Sequence, residues 1–455
     1  MNKHLQLIKK ELEKINDLSF QEYQELRNQR FRKMLLHHFE NPYNDYYKRL
    51  LLQHGIKNES ELPKDLSELQ KLPITDKNTI WQGDYDKNPG INEVHIYKRL
   101  GTSGTTGKPL IVPHSNAFAI DNMSRLIIRA QIMNNFDLEK NGYFVAHYYP
   151  GKDENFASHE SLSIMQGLIG REKISLDSTQ TNFKTHFDNL IKTKAIHSSS
   201  SPNFYITFAT SLITTKMKIE KLNLKQLLCG GASMSDDDLD FLKERLNLDK
   251  IILFFPTTDA GVIGTQINEK SDYVVFSDYQ IVEVITKEGK PAKIGEKGDL
   301  VVTNLFCDSY PIIRYRVGDE VIFKGISKYN NKFIEIGKIK RKTDATFGDG
   351  FISFNEIEGI SGYLRKKGIL AFRVQIVKRR GENRIDQPVI RIECKINNKD
   401  EENTKKTAIE AFRRNEQMDY LIKDGGIMPP KVEILKPGEL TVGKFKSKVF
   451  VDETL

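Results

Sequence analysis

The sequence predicts an α/β protein of more than one domain. The fold class follows from the pattern of strands and helices, and the number of domains follows from the length of the chain. Short aliphatic runs typical of buried strands, at residues 110–112, 227–229 and 251–254, alternate with longer stretches of helical spacing such as residues 237–246. The chain is also 455 residues long, which is too long for one ordinary hydrophobic core. We therefore expect an α/β architecture divided into two or three domains.

The flanking regions add detail to this fold class. Residues 1–57 are highly charged and have apolar residues at helical spacing, which predicts amphipathic helices with a core-facing stripe of Leu5, Ile8, Leu12 and Ile15. After Ser277, strand-like runs at 283–285 and 300–303 are separated by glycine and proline, which predicts a β-rich subdomain. The last quarter mixes alternating strands with a helix over residues 401–414, which predicts a small α+β unit.

Residues 101–109 have the composition of a phosphate-binding loop, Gly-Thr-Ser-Gly-Thr-Thr-Gly-Lys-Pro. Glycine lets successive backbone N–H groups turn toward one anion, while the hydroxyls add donors and the lysine adds charge. A P-loop is excluded because Thr102 and Pro109 replace its required residues and a strand-like run follows. A serine-hydrolase elbow is excluded because Thr105 replaces its second glycine. A flexible surface turn is the remaining alternative.

Four further segments place glycine, acid or lysine after strand-like runs. They are Leu-Leu-Cys-Gly-Gly-Ala-Ser at 227–233, Phe-Phe-Pro-Thr-Thr-Asp at 254–259, Tyr-Arg-Val-Gly-Asp at 315–319 and Leu-Thr-Val-Gly-Lys at 440–444. Structural alternatives exist for three of them. The first could be a strand-to-helix turn capped by Ser233 or Ser235, the second a solvated turn, and the third a Gly-Asp hairpin turn.

In this order, the five segments resemble the motifs of the adenylate-forming enzymes, the superfamily of acyl-CoA synthetases, luciferases and peptide-synthetase adenylation domains. The resemblance implies ATP and Mg²⁺ as ligands. It implies phosphate binding by the glycine-rich loop, through Thr102, Ser103, Gly104, Thr105, Thr106, Gly107 and Lys108. It also implies two kinds of contact with adenine. The Gly-Gly turn, here Gly230, Gly231 and Ala232, would contact the base, and the aromatic ring of Phe255 would stack on it.

The same resemblance implies the catalytic residues. Thr258 would contact phosphate and Asp259 would hold Mg²⁺, while the Asp319 carboxylate would accept from the ribose hydroxyls, as acidic residues do in dinucleotide sites. Lys444 would reach the carboxylate and α-phosphate oxygens, where the transition state gathers negative charge. Lys338 stands where the family has a nucleotide-binding arginine.

Three positions depart from the family pattern. Asp259 replaces a glutamate, and its shorter reach favours contact with Mg²⁺ through water. Pro256 replaces a glycine. Lys338 keeps the positive charge of an arginine but lacks the planar fork with which an arginine makes a bidentate contact. A solvated basic linker is the alternative for the segment that contains Lys338.

Within the superfamily, the phenylacetate-CoA ligase type fits best. It shares a Leu-Pro-x-Thr-x-Lys segment, here residues 72–77, and a Ser-Pro turn, here residues 200–203. The resemblance implies a large multi-subdomain α/β N-terminal domain, residues 1–337, and a small α+β C-terminal lid domain, residues 338–455. It also implies that the lid rotates about a hinge at residues 338–342 between two half-reactions.

The implied reaction joins a carboxylic acid to ATP and then transfers the acyl group to a thiol. Coenzyme A is the expected acceptor, and the phosphopantetheine of an acyl carrier protein is the alternative. An aromatic acid is expected from Tyr148, Tyr149 and Phe156, which follow the phosphate loop, although ordinary core aromatics would give the same pattern.

Charge and composition bear on the other classes of protein. Most of the formal net charge of +8 lies after Asn331, which suits a domain that faces anionic ATP and also suits simple solvation. A nucleic-acid-binding protein is the rival class, through the basic runs at 365–367 and 378–380, but aromatic residues are sparse there and no helix-turn-helix or zinc-finger pattern occurs. We expect no nucleic-acid partner.

The sequence also bears on location and metal content. No apolar run is long enough for a membrane span, and the first residues lack an apolar signal core, so we expect no membrane association and a cytoplasmic location. The cysteines Cys229, Cys307 and Cys394 are too far apart for a paired zinc motif. Apart from Mg²⁺, we expect no metal.

Overall fold

The computed structural model describes most of the chain in two compact units. The described residues are 2–102, 110–136, 138, 144–148, 164–165, 167–169, 173–177, 183–231, 234–337, 340–341, 345–348, 350–352, 354–395, 400–440 and 449–454. The first unit comprises Met1–Ala146, Pro150–Lys173 and Ile252–Ile339, and the second comprises His147–Tyr149, Ile174–Ile251 and Lys340–Leu455.

Five described α-helices of the first unit lie before Ala146. They are α1 (Lys3–Asp17), α2 (Phe20–Phe39), α3 (Tyr46–Gln53), α4 (Lys77–Gln82) and α5 (Arg125–Met133), the last preceded by a π-helical turn at Phe118–Ser124. Helix α2 begins with a capping box in which the Ser19 hydroxyl and the Glu22 carboxylate accept from each other's backbone N–H groups. The predicted core stripe of α1 is confirmed, because Leu5, Ile8, Leu12 and Ile15 are all buried.

An antiparallel stretch of sheet occupies the C-terminal part of this unit. Its strand order is β10-β11-β12-β13-β9-β8-β7, and neighbouring strands are antiparallel throughout. The strands are β7 (Lys250–Thr257), β8 (Gly261–Gln266), β9 (Tyr273–Val275), β10 (Gln280–Ile285), β11 (Lys297–Asn304), β12 (Tyr315–Ile326) and β13 (Ile334–Ile336). Residues 250–251 of β7 belong to the second unit. The predicted β-rich subdomain after Ser277 is thereby confirmed.

A separate hairpin carries the glycine-rich loop. Strand β1 (Ile96–Gly101) pairs antiparallel with β2 (Ile111–Ser115), and Gly101 lies opposite Ile111. The glycine-rich segment therefore joins two paired strands. This confirms the prediction that a strand, and not the helix of a P-loop, follows it.

The part of the second unit before residue 252 combines helices with parallel strands. Strand β5 (His197–Ser200) pairs in parallel with β6 (Gln226–Cys229), and the crossover between them contains α7 (Pro202–Thr214). The other strands and α-helices described in this part are β3 (Phe144–Tyr148) and β4 (Lys173–Asp177), which both have residues in each unit, α6 (Phe183–Thr193) and α8 (Asp236–Leu246). Parallel pairing across a helix confirms the predicted α/β pattern.

The C-terminal part of this unit is an α+β fold. Its sheet has the order β19-β18-β17-β20, with an antiparallel central pair and parallel edges. The elements are β14 (Lys340–Arg341), β15 (Ala345–Phe347), β16 (Gly350–Ile352), α9 (Phe354–Lys366), β17 (Ala371–Arg380), β18 (Asp386–Cys394), α10 (Glu401–Arg413), α11 (Glu416–Asp424), β19 (Lys431–Leu435) and β20 (Phe450–Asp452). Helices α9 and α10 and the sheet share one core that includes Ile360, Leu364, Ile376, Ile390 and Phe412.

The predicted α/β fold class and the small α+β unit near the C terminus are confirmed. The two compact units divide the C-terminal stretch at Ile339 and Lys340, but the second unit also takes in residues 174–251. The predicted two-domain boundary at residues 337 and 338 stays a prediction. Within the part of the chain described above, no helix is long and apolar enough to cross a membrane.

Candidate active site

Thr102 and Leu110, which flank residues 103–109 of the glycine-rich segment, are hydrogen-bonded to each other. The backbone N–H of Thr102 donates to the carbonyl of Leu110 at 2.9 Å, and the Thr102 hydroxyl accepts from the backbone N–H of Leu110 at 3.0 Å. These two hydrogen bonds hold together the ends of the segment 103–109, which itself lies outside the described residues. The predicted phosphate contacts of Ser103, Gly104, Thr105, Thr106, Gly107 and Lys108 therefore stay predictions.

The turn between β7 and β8 contains the predicted catalytic residues Thr258 and Asp259. Thr257 pairs with Gly261 across the turn, and the Thr257 hydroxyl accepts from the backbone N–H of Ala260 at 2.9 Å. Gly261 has φ of +87°, and a Cβ at this position would lie 2.2 Å from Oδ1 of Asn122. Only glycine meets both conditions without strain, so the end of the turn depends on this residue.

Buried side chains hold three successive carbonyl groups of this turn. Nε2 of His114 lies 2.7 Å from the carbonyl oxygen of Thr258, and the Tyr310 hydroxyl donates to the carbonyl of Asp259 at 2.7 Å. The carbonyl of Ala260 accepts from two buried amides, those of Asn304 at 2.9 Å and Gln280 at 3.1 Å. The turn is therefore fixed from β2, β10, β11 and the segment before β12, and it is not the solvated turn of the alternative interpretation.

His114 acts in this arrangement as a neutral donor. A carbonyl oxygen can only accept, so Nε2 must carry the hydrogen. Burial lowers the pKa of His114 to about 4, against an opposing effect of the hydrogen bond to Thr258. The imidazole is therefore uncharged at neutral pH, and β2 is joined to the turn by a neutral hydrogen bond.

The Asp259 carboxylate is held as firmly as its backbone. Asp259 is only 6% exposed, and its Oδ1 accepts from the backbone N–H of Ala260 at 3.0 Å. Its Oδ2 accepts from the hydroxyl of Tyr315 at 2.6 Å. Burial, and then the neighbouring Asp259 charge, raise the pKa of Tyr315 well above its ordinary value, so the phenol keeps its proton and remains a donor.

The segment that presents Tyr315 is anchored by Arg314 and Thr75. Arg314 has φ of +46°, and its guanidinium forms two 3.0 Å hydrogen bonds to the Glu283 carboxylate and one of 2.6 Å to the carbonyl of Leu72. Thr75 donates its N–H to the carbonyl of Arg314 at 2.9 Å and accepts from the N–H of Arg316 at 2.8 Å. The Leu-Pro-x-Thr segment and the Tyr-Arg segment, far apart in sequence, therefore bind each other.

Asp319 lies in an irregular part of β12. The pairing of β12 with β11 shifts register between Arg316 and Glu320, and Gly318 in this interval has φ of +99°. Such a bulge bends a strand and redirects side chains, and bulges are common beside active sites. Asp319 is half-buried within the strand, so the segment is not a hairpin turn. Its contact with ribose stays a prediction.

The other predicted nucleotide contacts are placed as follows. Phe255 is buried in β7, with its ring centroid 5.9 Å from that of Tyr273. Gly230 and Gly231 follow β6 in the second unit, and Gly231 has φ of +80°. Ser235 caps α8 through the N–H of Asp238, as the structural alternative for this segment required. Ala232, Lys338 and Lys444 lie outside the described residues, and all these nucleotide roles stay predictions.

The sequence interpretation missed His114, Tyr310, Asn304 and Gln280 as parts of this site. None lies in a motif that the resemblance marked, and each acts on a backbone carbonyl through contacts distant in sequence. One signal was available for His114, which follows the glycine-rich loop on β2. Because β2 leaves that loop directly, a polar residue facing the site was to be expected there.

The Asp259 turn fits part of a Mg²⁺ site. Mg²⁺ prefers oxygen ligands and is commonly bound by one or two carboxylates, retained waters and substrate phosphates. Asp259 offers one carboxylate, and each of its two oxygens accepts one hydrogen bond from the residues that the structure describes, which leaves lone pairs for a metal or its water. Among the described residues, no group of three or more His, Cys, Asp and Glu side chains forms a metal cage. Nucleotide and water would supply the other ligands.

Comparisons with known proteins agree with this architecture. No protein-family model matches the chain. Phenylacetate-coenzyme A ligase of Aromatoleum evansii is 22% identical over 315 residues, which cover 68% of each protein. The enzyme of the same name from Thermus thermophilus is 22% identical over 442 residues, or 91% of this chain and 92% of the relative.

A solved structure extends the likeness to three dimensions. The structure of 2-hydroxyisobutyryl-CoA ligase in the postadenylation state with 2-HIB-AMP has a TM-score of 0.74, at 17% identity, over 94% of this chain and 89% of that one. The fold is thus that of the adenylate-forming enzymes. In sequence, the similarity is to enzymes named phenylacetate-coenzyme A ligase, the type that the motifs indicated.

Proposed function

We propose that this protein activates a carboxylic acid with ATP and transfers the acyl group to a thiol, most directly that of coenzyme A. One observation carries the proposal. The strand that follows the glycine-rich loop, the Thr258–Asp259 turn and the Tyr315 segment meet through hydrogen bonds of 2.6–2.7 Å. These hydrogen bonds hold together segments that contain or directly follow residues resembling separate nucleotide motifs, which supports an ATP-dependent adenylation site in the first unit.

In the first half-reaction, a carboxylate oxygen of the acid attacks the α-phosphorus of ATP and pyrophosphate leaves. The glycine-rich loop is proposed to hold the phosphates, and Asp259 to help place Mg²⁺, which would neutralise phosphate oxygens. Asp319 is proposed to hold the ribose hydroxyls. Lys444 is proposed to stabilise the charge that gathers between carboxylate and phosphate. Buried donors fix the Thr258–Asp259 turn in advance, so little reorganisation is needed there.

In the second half-reaction, the thiol sulfur attacks the acyl carbon and AMP leaves. The C-terminal domain is proposed to rotate about residues 338–342 between the two steps, which would withdraw Lys444 and admit the thiol. Coenzyme A is favoured because the relatives that match the sequence are named coenzyme A ligases. The phosphopantetheine of an acyl carrier protein is the second candidate acceptor.

The acid is proposed to be aromatic, after phenylacetate in the names of the relatives. A cytoplasmic location remains a prediction. ATP–pyrophosphate exchange with panels of aryl, aliphatic and amino acids tests both the reaction and the acid. We expect exchange above background with an aryl acid. Exchange with aliphatic acids alone would reject the aromatic assignment, and the absence of exchange with every class would reject acid adenylation.

A second assay identifies the acceptor. With the acid that supports exchange, thioester formation is measured as a function of free coenzyme A, and separately with a phosphopantetheinylated carrier protein. Saturation at low concentrations of coenzyme A is expected. Product formed only on the carrier would replace coenzyme A by the carrier as the acceptor.

A further inference from the structure

Asp259 differs from the glutamate that the resemblance led us to expect, and its surroundings suit the shorter side chain. A glutamate would carry its carboxylate one methylene further from the backbone. In this chain the shorter side chain brings Oδ2 to 2.6 Å from the Tyr315 hydroxyl, while Oδ1 remains on the N–H of Ala260. Both oxygens are therefore fixed by groups of the protein.

Tyr315 is itself rigidly placed. It is 1% exposed and begins β12, where its backbone forms an isolated parallel bridge with Thr75 and pairs with Val302 of β11. The neighbouring Arg314 is fixed by Glu283 and by the carbonyl of Leu72. A donor on such a support holds its partner in one orientation, whereas a donor on a mobile loop would not.

We propose that Tyr315 is a positioning residue for Mg²⁺-dependent ATP binding, because its hydroxyl orients the Asp259 carboxylate toward the metal or a metal-bound water. The inference rests on the proposed function and assigns Tyr315 a role that it exerts through Asp259. Hydrogen-bonded partners of this kind orient metal-binding carboxylates, and their loss typically weakens metal affinity 10- to 100-fold.

The test is the Mg²⁺ dependence of binding of a non-hydrolysable ATP analogue, measured by calorimetry. We expect Tyr315→Phe to raise the Mg²⁺ concentration for half-maximal enhancement of binding by about 10- to 100-fold. Affinity without Mg²⁺ should stay near wild type. Tyr205→Phe is the matched control, because it removes another buried hydroxyl, one that donates to Ser198 at 2.7 Å. It should leave the Mg²⁺ dependence unchanged.

A double-mutant cycle with Asp259→Ala shows whether the effect passes through the carboxylate. In the Asp259→Ala background, Tyr315→Phe should change the Mg²⁺ dependence no further. Wild-type Mg²⁺ dependence in Tyr315→Phe, or an equal loss in both backgrounds, would overturn the inference. If Tyr315→Phe is destabilised, the Mg²⁺-dependent rise in Tm at fixed ATP analogue gives the same comparison.

The same binding measurement distinguishes failure of the proposed function from failure of the role assigned to Tyr315. If the wild-type protein does not bind the ATP analogue at any Mg²⁺ concentration, then adenylation itself is rejected. If the wild-type protein binds it in a Mg²⁺-dependent way and Tyr315→Phe behaves identically, only the role of Tyr315 is rejected.

Discussion

Arg365 of α9 and Asp238 of α8 form an ion pair buried within the second unit. Nε of Arg365 donates to Oδ1 of Asp238 at 2.9 Å, and both side chains are at most 4% exposed. Nη1 of Arg365 also donates to the carbonyl of Ala371 at 2.6 Å, at the start of β17. One guanidinium thus joins α8, which precedes residue 338 in sequence, to two elements that follow it.

Replacement of Asp238 by alanine should strongly destabilise the folded protein. Asp238→Ala leaves a buried guanidinium without its counter-charge, and we expect the free energy of unfolding to fall by about 3–5 kcal/mol. Lys366→Ala is the neighbouring control, because Lys366 forms a 3.0 Å ion pair with Asp237 while its own side chain is 66% exposed. That variant should lose less than about 1 kcal/mol. Urea denaturation measures both, and equal losses would contradict this account of the pair.

His114 should make stability depend on pH. Its folded pKa of about 4 lies below the ordinary 6.5, so between these values the unfolded chain binds a proton that the folded chain excludes. The stability contributed by neutral His114 is therefore complete above pH 6.5 and is lost as the pH falls toward 4. The loss amounts to about 3 kcal/mol.

The variant His114→Gln isolates this contribution. Gln keeps a donor for the carbonyl of Thr258 but does not titrate, so its stability should fall less than that of wild type between pH 7 and pH 4.5. His38, whose pKa burial lowers to about 3, titrates in both proteins and cancels in the comparison. Parallel curves of unfolding free energy against pH would show that His114 is not held neutral by the fold.

Asp259 should be needed for adenylation at limiting Mg²⁺. Asp259→Ala removes the only carboxylate of the Thr257–Gly261 turn, and exchange of pyrophosphate into ATP should fall strongly. Asp259→Glu keeps a carboxylate for the metal and should retain much of the activity at saturating Mg²⁺, although its carboxylate lies one methylene beyond the position that Tyr315 orients. Wild-type exchange by the alanine variant at limiting Mg²⁺ would rule out the metal assignment.

Lys444 should matter for one half-reaction only. Lys444→Ala should lower acyl-adenylate formation about 100-fold or more, because it removes a preorganised contact to the transition state. Supplied with synthetic acyl-adenylate, the variant should acylate its acceptor near the wild-type rate. An equal fall in both half-reactions, or a selective loss in Lys446→Ala instead, would show that the C-terminal motif has been assigned in the wrong register.

Local sequence patterns predicted much of the fold because local forces determine those parts. The spacing of Leu5, Ile8, Leu12 and Ile15 was enough to predict the buried face of α1. The run after the glycine-rich loop was enough to predict β2. In both places, the pattern of apolar residues within one element is enough to predict what that element is and which residues it buries.

The interior of the site could not be predicted in the same way. His114 and Thr258 are 144 positions apart, and Tyr315 and Asp259 are 56 apart, so their contacts depend on how strands assemble. Gly318 resembled a turn residue, yet it lies in a bulge of β12, because pairing with β11 continues on both sides. Local preference alone does not distinguish a bulge from a turn at a Gly-Asp pair.

The most direct test of the central claim follows oxygen atoms. The acid that supports exchange is labelled with ¹⁸O in its carboxylate and incubated with ATP, Mg²⁺ and coenzyme A, and the nucleotide product is analysed by mass spectrometry. An acyl-adenylate intermediate predicts that one ¹⁸O atom passes from the acid to AMP. Release of ADP with the ¹⁸O in inorganic phosphate would show activation through an acyl phosphate and would contradict the account.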